Sequence, residues 1–305
     1  MTFERTATLA FSGALAVSAG MSLVRHEEEF ARRAGLKGTQ LTMDSEGRTI
    51  EFTTSRQTLD GTRPVLVLES GLGAPLECWD WVERALRDKL DVLRYHRRGY
   101  ARTKSVQSPA QLVEHLLREL APTGPVVFAS HSIGALVTGN VLAGSEYVRS
   151  RTRAVYVLDG TDAVLLEADR ASAGPRGRYR QMTAQSLLAT VTGIDRWVQS
   201  PVERDVEYRP DVQRAFVVMS SSVRTLLSAQ REYLQEPTGN QHRLRDMDLD
   251  IQVLSAADNV DQQRTLADRL GASFEVVPGS SHRSIIGRPE CAQLVADHVL
   301  EGVNA

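Results

Sequence analysis

The sequence predicts an α/β fold: a mostly parallel, eight-stranded sheet with helices on both faces and a helical cap inserted after the sixth strand. Three observations lead there. From about residue 38 onward, short β-type runs alternate with helical stretches. The run Val65 to Glu69 is apolar up to its last residue and closed by glycines, the pattern of a strand buried on both faces. Between about residues 163 and 248 the β alternation is lost and the pattern turns helical, over a length that no structureless loop of a compact domain reaches.

Gln40 to Met43 and Thr49 to Ser55 flank the turn formers Asp44-Ser45-Glu46-Gly47, which predicts an opening hairpin. After Val65 to Glu69 come an amphipathic helix (Pro75 to Lys89), a strand (Asp91 to Tyr95) and a helix (Ala110 to Leu120). A strand (Pro125 to Ala129), a helix (Ile133 to Ala143) and a strand (Arg153 to Leu158) follow. Beyond the insertion the alternation resumes with strands at Ile251 to Leu254 and Phe274 to Val277, each followed by a helix (Asp261 to Leu270, Pro289 to Leu300). Connections of this length between parallel strands place helices on both faces of the sheet. The expected organisation is an N-terminal segment at 1–37, core at 38–162, cap at 163–248 and core again at 249–305.

The chain has 305 residues and a formal net charge of −2, with no polybasic run, so nothing favours nucleic acid as a partner. Cys78 and Cys291 lie far apart, which argues against a disulfide framework or a Cys metal site. No H-E-x-x-H, CxxC or Asp-rich calcium loop is present, and no G-x-G-x-x-G follows a strand. Neither a metal nor a cofactor is expected. Residues 7–24 carry no charge and are long enough to span a bilayer, but are rich in Ala, Ser and Gly. A helix packed on the domain or on a partner chain, a membrane anchor and a cleaved signal all stay open for this segment. A cytoplasmic location is expected, with membrane anchoring through residues 7–24 as the alternative.

The most informative stretch is Val126-Val127-Phe128-Ala129-Ser130-His131-Ser132-Ile133-Gly134-Ala135. An apolar strand runs into a serine flanked by small residues and then directly into a helix, the context of a nucleophile elbow. The tight turn forces small side chains two positions either side, and Ser130 and Gly134 meet that demand. The turn lifts Ser132 clear of the sheet and aims a helix N-terminus at the reacting centre, where its free N–H groups favour an oxyanion.

Three further segments complete the chemistry. Ser70-Gly71-Leu72-Gly73 follows a buried strand and can bring a backbone N–H beside the elbow, which nominates the Leu72 and Ile133 amides as an oxyanion hole. Asp258 lies just past a strand end after the insertion, and His282 lies in the loop after the last strand. A serine hydroxyl is a weak nucleophile, so a neutral imidazole must take its proton; a carboxylate on the other ring nitrogen fixes the tautomer. The chain order Ser132, Asp258, His282 fits a triad built on a nucleophile elbow. Gly71, His131 and Trp197 are expected to bind substrate.

With these segments in place the chain resembles an α/β-hydrolase from about residue 38 to the C-terminus. The stretch Tyr95-His96-Arg97-Arg98-Gly99-Tyr100-Ala101-Arg102 is similar to that family's loop Y-D-R-x-G-x-G-x-S, with His96 in place of the Asp and Ala101 in place of the second Gly. Some members place the acid after the preceding strand, which keeps Asp162 as the alternative to Asp258. Some carry an N-terminal hydrophobic anchor. A serine at the elbow sets the chain apart from the dehalogenases and epoxide hydrolases of similar architecture, which use Asp there.

The expected function is a serine hydrolase that cleaves a carboxylic ester, lactone or thioester of a small-molecule acyl substrate through an acyl-enzyme on Ser132. The same three residues could instead serve acyl transfer or C–C bond hydrolysis. A non-catalytic binding protein on the same fold is the alternative of another class. Cap aromatics Tyr179, Trp197, Tyr208, Phe216 and Tyr233 could line an acyl pocket or pack the cap. The oligomeric state stays open.

Overall fold

The computed structural model describes residues 20, 38–57, 59, 61–172, 184–188, 205–220 and 222–304. Eight strands form one sheet: β1 (Gln40–Met43), β2 (Thr49–Thr54), β3 (Val65–Glu69), β4 (Asp91–Tyr95), β5 (Val126–His131), β6 (Thr152–Leu158), β7 (Asp250–Ala256) and β8 (Ser273–Val277). Their spatial order is β1-β2-β4-β3-β5-β6-β7-β8. The β1–β2 hairpin runs antiparallel and β2 pairs antiparallel with β4, while all other pairs are parallel. The eight-stranded, mostly parallel sheet read from the sequence is therefore present. β3, β4 and β5 are buried along their whole length; β3 is apolar up to Glu69, while β4 also buries Asp91 and Arg94, paired with Arg56 and Glu83.

The helices among the described residues include α1 (Asp80–Leu86), α2 (Pro109–Leu120), α3 (Gly134–Gly144), α4 (Glu146–Arg151), α5 (Ala163–Ala171), α6 (Pro210–Ser220), α7 (Val223–Gln235), α8 (Val260–Leu270), α9 (Ser284–Gly287) and α10 (Pro289–Asn304). One face of the sheet packs Val67, Phe128 and Val155 against Leu112 and Leu116 of α2, Val137 and Val141 of α3 and Leu266 of α8. The other face packs Leu66, Val127 and Tyr156 against Trp79, Val82 and Leu86 beside α1, and Val295 and Val299 of α10. Two such layers hold the sheet rigid, and truncating a buried Leu or Phe in either would cost about 3–5 kcal/mol.

Local chemistry explains the boundaries. Ser108 caps α2: its hydroxyl accepts from the Gln111 amide while the Gln111 side chain accepts from the Ser108 amide, with Pro109 at the first turn. α3 is apolar all round and buried, because the sheet, α2 and the 3₁₀ turn Gln241–Asp246 enclose it. The helix expected from Pro75 to Lys89 is instead a 3₁₀ turn (Leu76–Trp79) leading into α1. The Leu76 amide donates to His96 Nε2 and its carbonyl accepts from Arg94 Nη1, and these side-chain bonds hold the tighter turn.

Helices α5, α6 and α7 fall in the segment where the sequence loses its β pattern. α6 packs on the Leu76–Trp79 turn, and α7 lies against the loop that follows β4. Residues 7–24, apart from Gly20, lie outside the described residues, and so do Tyr179 and Trp197. Among the described residues no helix is long and apolar enough to cross a membrane.

Candidate active site

Parallel strands deliver their following loops to one edge of the sheet, and the residues of interest converge there. β5 runs through His131 and hands over to Ser132, whose backbone takes φ +57° before α3 begins. That left-handed conformation costs a non-glycine residue about 1–2 kcal/mol. The surroundings enforce it: the Ser132 amide donates to the Leu158 carbonyl, and its own carbonyl accepts from the Thr161 and Ala135 amides. A Cβ on Gly134 would lie 2.5 Å from the Glu69 carbonyl oxygen, so the position after next tolerates no side chain. Ser130, at the other small position, shares a 2.6 Å hydrogen bond with the Thr138 hydroxyl of α3.

His282 Nε2 lies 3.1 Å from Ser132 Oγ. On the opposite side of the ring, Nδ1 lies 2.5 Å from Asp159 Oδ2. Asp159 is the residue directly after β6, buried, with φ +45°. Its Oδ1 accepts from the Ala256 amide at 3.1 Å and the Asn259 side-chain amide at 3.2 Å. Burial by itself would raise the Asp159 carboxyl, but the hydrogen bond and charge of His282 and the Ala256 amide hold it below the usual carboxylate range. Asp159 is therefore an anion facing Nδ1–H, which leaves the Nε2 lone pair directed at the serine hydroxyl.

The carboxylate beside the ring is thus Asp159 and not Asp258, the acid expected from the sequence. Asp258 is exposed, two residues beyond β7, and its turn sends the neighbouring Asn259 towards the ring system instead. Asp162, the alternative, caps α5 through the Val164 amide at 2.8 Å and pairs with Arg269 of α8, so its carboxylate is engaged away from the ring. The signal that could have found Asp159 is its place in Leu158-Asp159-Gly160, immediately after an apolar strand and before a glycine.

Leu72 and Ile133 line the same cavity of about 250 Å³ as Ser132 and His282, together with Leu165, Leu166 and Tyr233 from α5 and α7. Neither the Leu72 nor the Ile133 amide donates to another group among the described residues. Gly71 does not line the cavity; it lets the loop close on the elbow, since a Cβ there would lie 3.0 Å from His131 Nδ1 and 3.2 Å from Ser132 Cβ.

His131, expected to bind substrate, is likewise absent from the cavity wall. It is buried under His282, the ring centroids 4.7 Å apart, and its Nε2 donates to the His282 carbonyl at 2.6 Å. Burial, reinforced by the neighbouring His282, pushes the His131 imidazole down to about 3, so it is neutral and braces the loop that carries His282. His96 is buried too, between the Leu76 amide and Glu51 Oε2, and does not line the cavity of Ser132 and His282. Among the described residues no group of three His, Cys, Asp or Glu side chains could hold a metal ion.

Comparison with known proteins agrees with this architecture. The model of the alpha/beta hydrolase family matches residues 65–297. A curated relative, an AB hydrolase superfamily protein of Gibberella zeae, is 32% identical over 88 residues, and the match spans 27% of this chain and 27% of that protein, about a quarter of its length. Among solved structures, a thermophilic esterase from Thermogutta terrifontis superposes with a TM-score of 0.64 at 17% identity, covering 88% of this chain and 100% of that one. A hydrolase from Pseudomonas aeruginosa gives 0.61 at 19% identity, with 88% and 98% covered. The enol-lactonase from Burkholderia xenovorans gives 0.59 at 18% identity, with 87% and 100% covered. At these identities the structures speak for the fold, and the family match, which takes in β3 through most of α10, supplies the conclusion: the chain belongs to the alpha/beta hydrolase family.

Proposed function

We propose that this protein is a serine hydrolase that cleaves a carboxylic ester, lactone or thioester through an acyl-enzyme on Ser132, with His282 as general base and Asp159 as the residue that orients it. The observation that carries the reading is the continuous relay of 3.1 Å from Ser132 Oγ to His282 Nε2 and 2.5 Å from His282 Nδ1 to Asp159. In the first half-reaction Nε2 takes the Ser132 proton as Oγ bonds to the substrate carbonyl carbon. The carbonyl oxygen becomes an anion, which the Leu72 and Ile133 amides would receive as an oxyanion hole. The tetrahedral centre collapses, the bond to the alcohol or thiol breaks, and Nε2 returns its proton to that leaving group. Water then attacks the acyl-enzyme with Nε2 as base, and the carboxylic acid leaves as Ser132 regains its hydrogen.

Asp159 keeps Nδ1–H in place and stabilises the imidazolium present in both tetrahedral stages. The segment 163–248 acts as a cap: it brings Leu165, Leu166 and Tyr233 to the cavity of Ser132, apolar surface for an acyl group, together with the polar Asp169. A fluorophosphonate probe tests the reading. Stoichiometric labelling at Ser132, found by peptide mass spectrometry and lost in Ser132→Ala, supports it; folded protein that takes no label and turns over no ester, lactone or thioester refutes it.

A further inference from the structure

The loop that carries Leu72 is held from behind by a single buried arginine. Arg97 follows β4, and all five of its N–H groups have acceptors. Nε and Nη2 form a two-pronged contact with Glu232 at 2.6 and 2.9 Å. Nη1 donates to Glu69 at 2.6 Å and to the Ser70 carbonyl at 2.7 Å, and Nη2 also reaches the Gly71 carbonyl at 3.2 Å. Glu69 takes a further bond from the Tyr95 hydroxyl at 2.6 Å. Tyr100 completes the clamp: its hydroxyl donates to Glu232 at 2.7 Å and accepts from the Gly73 amide at 3.2 Å.

The geometry of the peptide unit gives this clamp a consequence. A trans peptide is planar, so its C=O and N–H point in opposite directions. The Gly71 carbonyl and the Leu72 amide belong to one such plane. The carbonyl accepts from Arg97 Nη2 at 3.2 Å and from the Ala74 amide at 3.3 Å; held so, it turns the Leu72 N–H the other way, and Leu72 lines the same cavity as Ser132. With Ser70 fixed on one side and Gly73 on the other, the plane has little freedom to rotate. Glu232 comes from α7, in the segment proposed as the cap, so the two-pronged contact that completes the arginine's set of acceptors depends on the seating of that helix.

We infer that Arg97, locked by Glu232 of α7, is a positioning residue that aims the Leu72 amide at the reacting carbonyl and so ties the oxyanion site to the seating of the cap. This rests on the hydrolase reading above, and it adds a second role for the insertion besides walling the cavity. Lysine cannot replace Arg97, because an ammonium has three donors and no fork to span Glu232 and the Gly71 carbonyl together.

The test is steady-state kinetics on full-length protein carrying Glu232→Gln, Tyr100→Phe or Arg97→Lys, with thermal denaturation to establish folding. A donor fixed only in the transition state should be lost from kcat, not from KM. Glu232→Gln is expected to lower kcat about tenfold or more, short of the 10²–10³-fold for deleting an oxyanion donor outright, with KM within about twofold. The inhibition constant of a trifluoromethyl ketone, whose adduct places an oxyanion at the same amides, should rise by the factor that kcat/KM falls. A merely structural role would leave that inhibitor and the substrate affected alike in binding. If Arg97→Lys does not fold, Glu232→Gln and Tyr100→Phe decide. Folded variants with unchanged kcat and unchanged inhibitor affinity overturn the positioning role. Wild-type protein that neither takes a fluorophosphonate at Ser132 nor hydrolyses an ester, lactone or thioester overturns instead the reading beneath it.

Discussion

Asp159 and His282 stand 123 residues apart in the sequence, yet Asp159 Oδ2 lies 2.5 Å from the ring nitrogen that faces away from Ser132. Because that carboxylate is buried and held ionised, it fixes which nitrogen of His282 carries the proton. Replacing it by Asn keeps the shape but offers an amide that can turn its NH₂ to the ring and favour the wrong tautomer. Asp159→Asn should therefore lower kcat by about 10⁴-fold. Asp258→Asn, at an exposed turn, should leave kcat within about twofold; Asp162→Asn keeps an oxygen to cap α5 but loses the charge paired with Arg269, and should lower the denaturation midpoint while leaving kcat within a few-fold. Parallel ester assays of the three variants check the assignment, and an active Asp159→Asn beside a dead Asp258→Asn would reverse it.

Ser132→Ala should cost about 10⁴-fold or more in kcat while leaving the fold intact, since the strained backbone at this position is set by its neighbours' hydrogen bonds and not by the hydroxyl. Circular dichroism of the variant beside its ester turnover measures the two effects, and a variant that keeps the fold and the wild-type rate would count against Ser132 as nucleophile.

What the sequence made legible follows from which signals are local. An apolar run meeting Ser132 between Ser130 and Gly134 is a local pattern, and the eight strands follow from alternation, so both can be read directly. The partner of His282 cannot, because two carboxylates of similar standing, Asp159 and Asp258, follow adjacent strands β6 and β7. Which one reaches the ring depends on a single backbone choice: Asp159 turns into the left-handed region and points inward, while the β7 turn presents Asn259. The role of His131 is hidden for the same reason, since only the fold places the His282 carbonyl on its Nε2. Arg97 sits in a legible motif, but its partner Glu232 lies 135 residues away in the insertion.

His131 should leave a mark on stability against pH. Its folded value of about 3 lies below its value in the unfolded chain, near 6.5, so between these limits the unfolded state binds the extra proton. Acidification through that window should destabilise the fold by up to about 1.4 kcal/mol per pH unit from this group. Glu236 works the other way: burial, with Glu232 nearby, raises it to about 7, so the folded state takes its proton first as pH falls. The informative quantity is hence the difference between wild type and His131→Gln, whose amide can still donate to the His282 carbonyl. Urea titrations at pH 7 and pH 5 should show the variant losing less stability than the wild type; equal losses would mean that His131 is charged in the folded state.

Gly134→Ala separates the steric demand of the elbow from its chemistry. The added methyl carbon would meet the Glu69 carbonyl oxygen at 2.5 Å, with the Glu69 carbonyl carbon and the Ser70 oxygen both at 3.1 Å, all backbone atoms that cannot swing aside. Relief requires α3 or the β3 loop to move. Either motion alters the spacing between the Ile133 and Leu72 amides, and a shift of about 1 Å in a reacting constellation can cost about 100-fold in rate. The substitution should therefore lower both stability, by about 1–3 kcal/mol, and kcat. Ser130→Gly makes the opposite case: it loses the hydrogen bond to Thr138, worth about 1 kcal/mol, but adds no atom near the turn and should keep kcat within a few-fold. If Gly134→Ala were as active as Ser130→Gly, close packing of the elbow against the end of β3 would not be what sets the position of Ser132.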